Sequence, residues 1–217
     1  GFCDLVLGDG GVIDKWSKLG VKGWRLDVVD ELPIDFTDKL CARIRSEGED
    51  MLIVGEVWED ASIKIAYSKW RPYFMGEQLD SVMNYPFKEA ILAYVLNGDK
   101  NAFIADVTTV LEHYPKQSLD VLMNLVGSHD TARAITVLSG IKAPRTKKDR
   151  ANFVLSQEQY DLAKRRLKVA SALQYTLPGV PCVFYGDEAG KQGFEDPLNR
   201  GTYPWGREDT DLIEHYR

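Results

Sequence analysis

Three acidic residues each stand just past a run that reads as a buried strand: Asp27 after GWRL, Glu56 after MLIVG and Asp130 after VLMNLVGSH. A barrel of parallel strands wrapped by helices keeps its catalytic side chains at the C-terminal ends of its strands. Between the first two acids lies FTDKLCARIRSEGED, with the charge and periodicity of an amphipathic helix, so Asp27 and Glu56 are about one strand-plus-helix unit apart. An enzyme is the leading expectation.

The pattern predicts five strands, around Trp24 to Val28, Met51 to Gly55, Ser81 to Tyr85, Val121 to Val126 and Pro181 to Tyr185. GFCDLVLGDGGVIDKWSKLG reads as a loop and then a helix, and EDASIKIAYSKWRPYFMGEQLD as a polar loop. FKEAILAYVL, NAFIADVTTVLEHYP, TARAITVLSG and QEQYDLAKRRLKVASALQYTLPG read as helices, the last closed by Pro178 and Gly179. With every strand followed by a helix, the expected fold class is α/β with a parallel sheet, in one domain over residues 1–217.

Side chains two apart on a strand share a face, so Gly23, Arg25 and Asp27 point one way. The Arg25 guanidinium beside Asp27 favours the ionised carboxylate that a nucleophile requires. Glu56 shares its face with Leu52 and Val54 and is flanked by Val57 and Trp58, apolar surroundings that keep a carboxyl protonated near neutral pH. One charged and one protonated carboxyl group is the division of labour of a retaining glycosidase.

Composition excludes other classes. A formal charge of -6 and a pI near 5.2 argue against nucleic-acid and membrane-surface binding, which call for clustered positive charge. The basic run KAPRTKKDR reads as a solvated loop. Cys3, Cys41 and Cys182 are odd in number and widely spaced, the usage of a reducing compartment, and cytoplasm is expected. The three histidines have no zinc spacing, and no metal site is expected. GDGG lacks both a preceding strand and a following Lys-Ser/Thr, which argues against a phosphate loop.

GWRLDVVDE, GEVW and GSHD resemble, in order, the second, third and fourth sequence signatures of the α-amylase family of glycoside hydrolases. DSVMNYPF, TLPGVPCVFYGDEAG and EDPLNRGTYPW are similar to barrel strands and loops of its neopullulanase and cyclomaltodextrinase subfamily. The resemblance implies the C-terminal portion of a TIM (β/α)8 barrel, strands four to eight, and retaining hydrolysis of α-glucosidic bonds in malto-oligosaccharides, cyclomaltodextrins or related α-glucans. It makes Asp27 the nucleophile, Glu56 the general acid and then base, and Asp130 the carboxylate that grips the hydroxyls of the distorted sugar. Arg25 would orient Asp27, His129 would hydrogen-bond the sugar at the cleavage subsite, and Asp196 with Arg200 would line the next donor subsite.

Two further readings concern the substrate. Asp30 and Glu31 either start the following loop and helix or face the leaving-group side, where many starch-cleaving relatives carry Lys and His; Glu31 would then shape the acceptor subsites. Trp58, Trp70, Tyr73, Phe74, Tyr85 and Trp205 suit stacking on sugar faces, although such residues more often serve core or loop packing. His113 and His215 look structural.

The family's first signature, a DAVFNH-like run, has no counterpart here. The sequence is therefore expected to start after the third strand, with open sheet edges completed by an upstream barrel segment or by self-association. No cofactor is implied; the family's common calcium site draws on the upstream strand and gains no support from this segment. Two alternatives stay open: a catalytically silent sugar-binding or assembly module, and a glucan transferase or isomerase of the same family.

Overall fold

The computed structural model describes residues 1–217. The chain packs as two compact units, one of Gly1–Pro86, Thr109–Met123 and Pro178–Val180, the other of Phe87–Thr108, Asn124–Leu177 and Pro181–Arg217.

Seven strands form: β1 (Gly23–Leu26), β2 (Leu52–Gly55), β3 (Ile65–Ala66), β4 (Lys69–Trp70), β5 (Ser81–Asn84), β6 (Met123–Asn124) and β7 (Val180–Pro181). The main sheet runs β1-β2-β5-β6-β7, and β1 pairs parallel with β2, as β2 does with β5. This is the parallel α/β sheet of a barrel segment, with all five expected strands present but trimmed. The last is shifted, from the expected Pro181 to Tyr185 to Val180–Pro181. Its Val180 N–H donates to Leu122 O at 2.7 Å.

In the first unit, the helix Ile34–Arg45 buries Thr37, Leu40, Cys41 and Ile44, one stripe at helical spacing. Arg45 closes it against the start of β5, Nη2 reaching Gln78 O at 2.9 Å and Asp80 Oδ1 at 3.0 Å. Burial pushes the Cys41 thiol up to about 12, which leaves it unreactive. Gly55 ends β2 in a tight space, where an added Cβ would lie 2.5 Å from Leu79 Cδ1 and would displace that side chain.

Two expectations are corrected here. GFCDLVL is not a loop but the helix Phe2–Leu7, ahead of the helix Val12–Lys18. It contains no breaker before Gly8, and Asp4 in its first turn suits the helix dipole. Nor does a helix follow every strand: between β2 and β5 the chain forms the antiparallel hairpin β3-β4. Its two-residue turn, Tyr67 and Ser68, has φ of 53° and 59°. This is the double positive-φ turn that matches strand twist, made without the usual Asn-Gly. The segment is pinned to the loop after β1. Lys64 Nζ lies 2.9 Å from Asp30 Oδ2, the Tyr73 hydroxyl donates to Asp30 Oδ1 at 2.6 Å, and Arg71 donates to Asp30 O at 2.7 Å and Leu32 O at 2.8 Å.

In the second unit, the helix Gln157–Thr176 starts on a capping box between Ser156 and Gln159 and buries Ala163, Leu167, Ala170, Ser171 and Gln174. The basic run is partly helical, Lys147–Asn152, with Thr146 Oγ1 accepting from Asp149 N–H; it stays exposed. The interior is organised by Arg133, a fully buried guanidinium whose Cζ lies 4.0 Å from the Phe184 ring centre and 4.7 Å from that of Tyr185. Its Nη1 donates to Tyr185 O and, at 3.2 Å, to Asp187 Oδ1.

Burial pushes the Asp187 carboxyl from 3.8 up to about 7, with Arg133 opposing the rise. A carboxyl raised on folding binds its proton more tightly in the native state, so its contribution is greatest at low pH and declines between about pH 4 and about pH 7. Urea midpoints are expected to fall across that window, and Asp187→Asn to flatten the slope; an unchanged slope would assign it to another group.

Candidate active site

In the first unit, one group of candidate residues stands at the ends of β1 and β2, whose register sets Arg25 opposite Val54 and Leu26 opposite Gly55. The parity expectation holds: Arg25 Nη1 is paired with Asp27 Oδ1. The same guanidinium also places Nη2 2.7 Å from Glu56 Oε2, off the hydrogen-bonding direction, so that contact is electrostatic. Arg25 Nε rests 3.4 Å from Met83 Sδ on β5. One arginine thus touches both acids.

The two carboxylates differ sharply in exposure, the Asp27 side chain being 75% accessible and that of Glu56 4%. Glu56 is buried as expected, but its surroundings are not simply apolar. Val28 N–H donates to Oε2 at 2.9 Å and the Trp58 indole N–H to Oε1 at 3.1 Å. The first of these requires Val28 to sit in the left-handed region, φ 41° and ψ 53°, a poor conformation for a β-branched residue. Trp58 stacks on Tyr85 with ring centres 4.1 Å apart, so one indole face is occupied and the ring is held while it orients Glu56.

Asp30 anchors the hairpin segment, a role that neither reading of it anticipated. Glu31 instead meets the Tyr67 hydroxyl at the hairpin tip and borders a cleft of about 360 Å³ shared with Pro33, Lys69 and Arg71. Of the aromatic candidates, Tyr73 and Tyr85 are buried and serve packing, whereas Trp58, Trp70 and Trp205 are exposed. His113 pairs with Asp60, and His215 lies 2.8 Å from Ser171 Oγ.

The second unit brings together His129, Asp130, Asp196 and Arg200. Asp130 Oδ2 lies 3.0 Å from His129 Nε2, its Oδ1 accepts from Arg200 Nη2 at 3.2 Å, and Arg200 Nε lies 2.8 Å from Asp196 Oδ1. Arg200 thus bridges the carboxylates of Asp130 and Asp196, and the His129 ring lies on the other side of Asp130. Two residues outside the sequence reading also belong here. Arg133 and Asn199 hold the turn behind Asp130, and nothing in their sequence context sets them apart from surface polar residues. No group of three or more His, Cys, Asp or Glu side chains is placed to hold a metal ion.

Residues 7–212 match the family described as alpha amylase, catalytic domain. The chain belongs to the α-amylase family. Among its curated relatives, an amylopullulanase of Thermoanaerobacter thermohydrosulfuricus is 35% identical over 235 residues, covering 100% of this chain and 15% of that one. A cyclomaltodextrinase of Bacillus sp is 34% identical over 204 residues, covering 92% of this chain and 31% of that one. The structure of the cyclic alpha-maltosyl-(1→6)-maltose hydrolase from Arthrobacter globiformis superposes with a TM-score of 0.73 at 28% identity, over 94% of this chain and 40% of that chain. This α-amylase-family chain therefore spans well under half the length of these three proteins. No helix in it is long and apolar enough to cross a membrane.

Proposed function

We propose that this α-amylase-family chain carries the nucleophile and acid/base of a retaining α-glucan hydrolase acting on malto-oligosaccharides, cyclomaltodextrins or related glucans. The observation that carries the reading is the single Arg25 guanidinium in contact with both Asp27 and Glu56. Two carboxyl groups on one guanidinium are within reach of the short separation of retaining enzymes, about 5–5.5 Å.

In the first step a carboxylate oxygen of Asp27 bonds to the anomeric carbon as the glycosidic bond breaks, and the Glu56 proton passes to the leaving oxygen. In the second, Glu56 takes a proton from water, the water oxygen bonds to the anomeric carbon, and Asp27 is released. Asp130 holds sugar hydroxyls through contacts that tighten as positive charge develops, with His129, Asp196 and Arg200 completing the donor side. Trp58 acts on the substrate through the face not stacked on Tyr85, and Glu31 on the acceptor side. The partner is an α-glucan oligosaccharide, and a further barrel segment or a second copy covers the free edge of β1.

Proton NMR of maltotriose mixed with the protein tests the reading. The α-anomer of the new reducing end is expected first, and Glu31→His is expected to shift the ratio of hydrolysis to transfer products. First appearance of the β-anomer, or no cleavage, would overturn the assignment.

A further inference from the structure

Within the turn carrying His129 and Asp130, Thr131 N–H reaches Ser128 O at 3.4 Å, Asp130 N–H reaches Ser128 Oγ at 3.2 Å and Ser128 N–H reaches Thr131 Oγ1 at 3.2 Å. A further fixed point comes from far along the chain. The side chain of Asn199 is fully buried, and Nδ2 lies 2.7 Å from His129 O, 2.7 Å from Thr131 O and 3.4 Å from Ser128 O. Only a donor fits there. Flipping the amide would set Oδ1 against three carbonyl oxygens, so the orientation is fixed by the network. The cost of that placement is visible in Oδ1 itself, which is buried with no hydrogen-bond partner.

Asn199 is in turn held from behind. Arg133 Nε donates to Asn199 O at 2.8 Å, and the guanidinium is fixed by Asp187 and by the rings of Phe184 and Tyr185. The neighbouring Arg200 grips the Asp130 carboxylate. Consecutive residues therefore hold one turn twice, Asn199 by its backbone carbonyls and Arg200 by its functional side chain.

We propose that Asn199 is a positioning residue for the glycosidase reaction, setting the orientation of His129 and Asp130 through three backbone carbonyls. The inference rests on the sugar-holding role proposed for Asp130. Because the contacts of Asp130 tighten in the transition state, loss of alignment lowers kcat more than it raises KM.

The test compares Asn199→Ala with the parent protein by hydrogen exchange, by maltotriose kinetics, and by the same substitution placed on Asp130→Ala. Exchange over residues 126–133 is expected to quicken roughly tenfold while the helix Gln157–Thr176 is unchanged. The kcat is expected to fall about 10- to 100-fold with KM within about threefold. On the Asp130→Ala background the further loss should shrink to less than about threefold. Should alanine prevent folding, Asn199→Ser keeps one donor and is expected to show the same pattern at smaller amplitude. Unchanged exchange in the turn, or an equal loss with and without Asp130, would overturn the proposal. A parent protein inert on every α-glucan would overturn the functional reading, and this one with it; an active parent with an unaffected variant overturns this one alone.

Discussion

Asp27→Asn is expected to lower kcat on maltotriose by a factor on the order of 10⁴ to 10⁶, the scale at which removing a nucleophile disables a hydrolase. The substitution replaces one oxygen by an amide nitrogen and leaves the volume unchanged. It ends covalent attack, because an amide does not form the glucosyl ester. With 75% of the side chain exposed, its loss of charge costs the fold little, so the melting temperature should stay close to that of the parent. A large fall in rate without a fall in stability separates a reacting group from a structural one. Retention of more than about a hundredth of the activity would remove Asp27 from that role.

The second large effect is expected at Glu56→Gln, with kcat falling about 10²- to 10⁴-fold on glucans. On a glucosyl fluoride, whose leaving group needs little protonation, the first step should be largely spared, so the ratio of the two rates identifies the acid. Here the stability should also move. Glu56 accepts from Val28 N–H and the Trp58 indole and faces Arg25 at 2.7 Å. A glutamine would turn an NH₂ toward one of these donors, and a buried donor left unmatched costs about 1–3 kcal/mol. Equal losses on both substrates would show that Glu56 shapes the site without transferring the proton.

The sequence made the central pair legible for a simple reason: on a strand, alternation alone puts Arg25 beside Asp27. Strand positions followed from the same logic, since GWRL, MLIVG and SVMN are short runs that each start just after a charged residue, Lys22, Asp50 and Asp80. The donors around Glu56 were not legible. They depend on a left-handed valine and on an indole held by stacking, neither of which leaves a trace in periodicity. The hairpin went unread because two-residue strands carry no alternation and Tyr-Ser is not a turn pair that propensity favours. The last strand is shifted because Phe184 and Tyr185, apolar enough to read as strand, instead wrap the Arg133 guanidinium. Asn199 was hidden next to Arg200, which the family resemblance singled out.

The left-handed Val28 has a consequence for how such a site changes over generations. A β-branched residue at φ 41° costs on the order of 1–3 kcal/mol that glycine would not incur. Yet this torsion is what aims the Val28 N–H at Glu56, and a freer backbone would leave that aim loosely defined. Thermal robustness and chemical competence therefore draw on a single bond rotation in opposite directions. A lineage adapting to heat has its tempting local gain at the residue following Asp27, where accepting it would loosen the hold on Glu56.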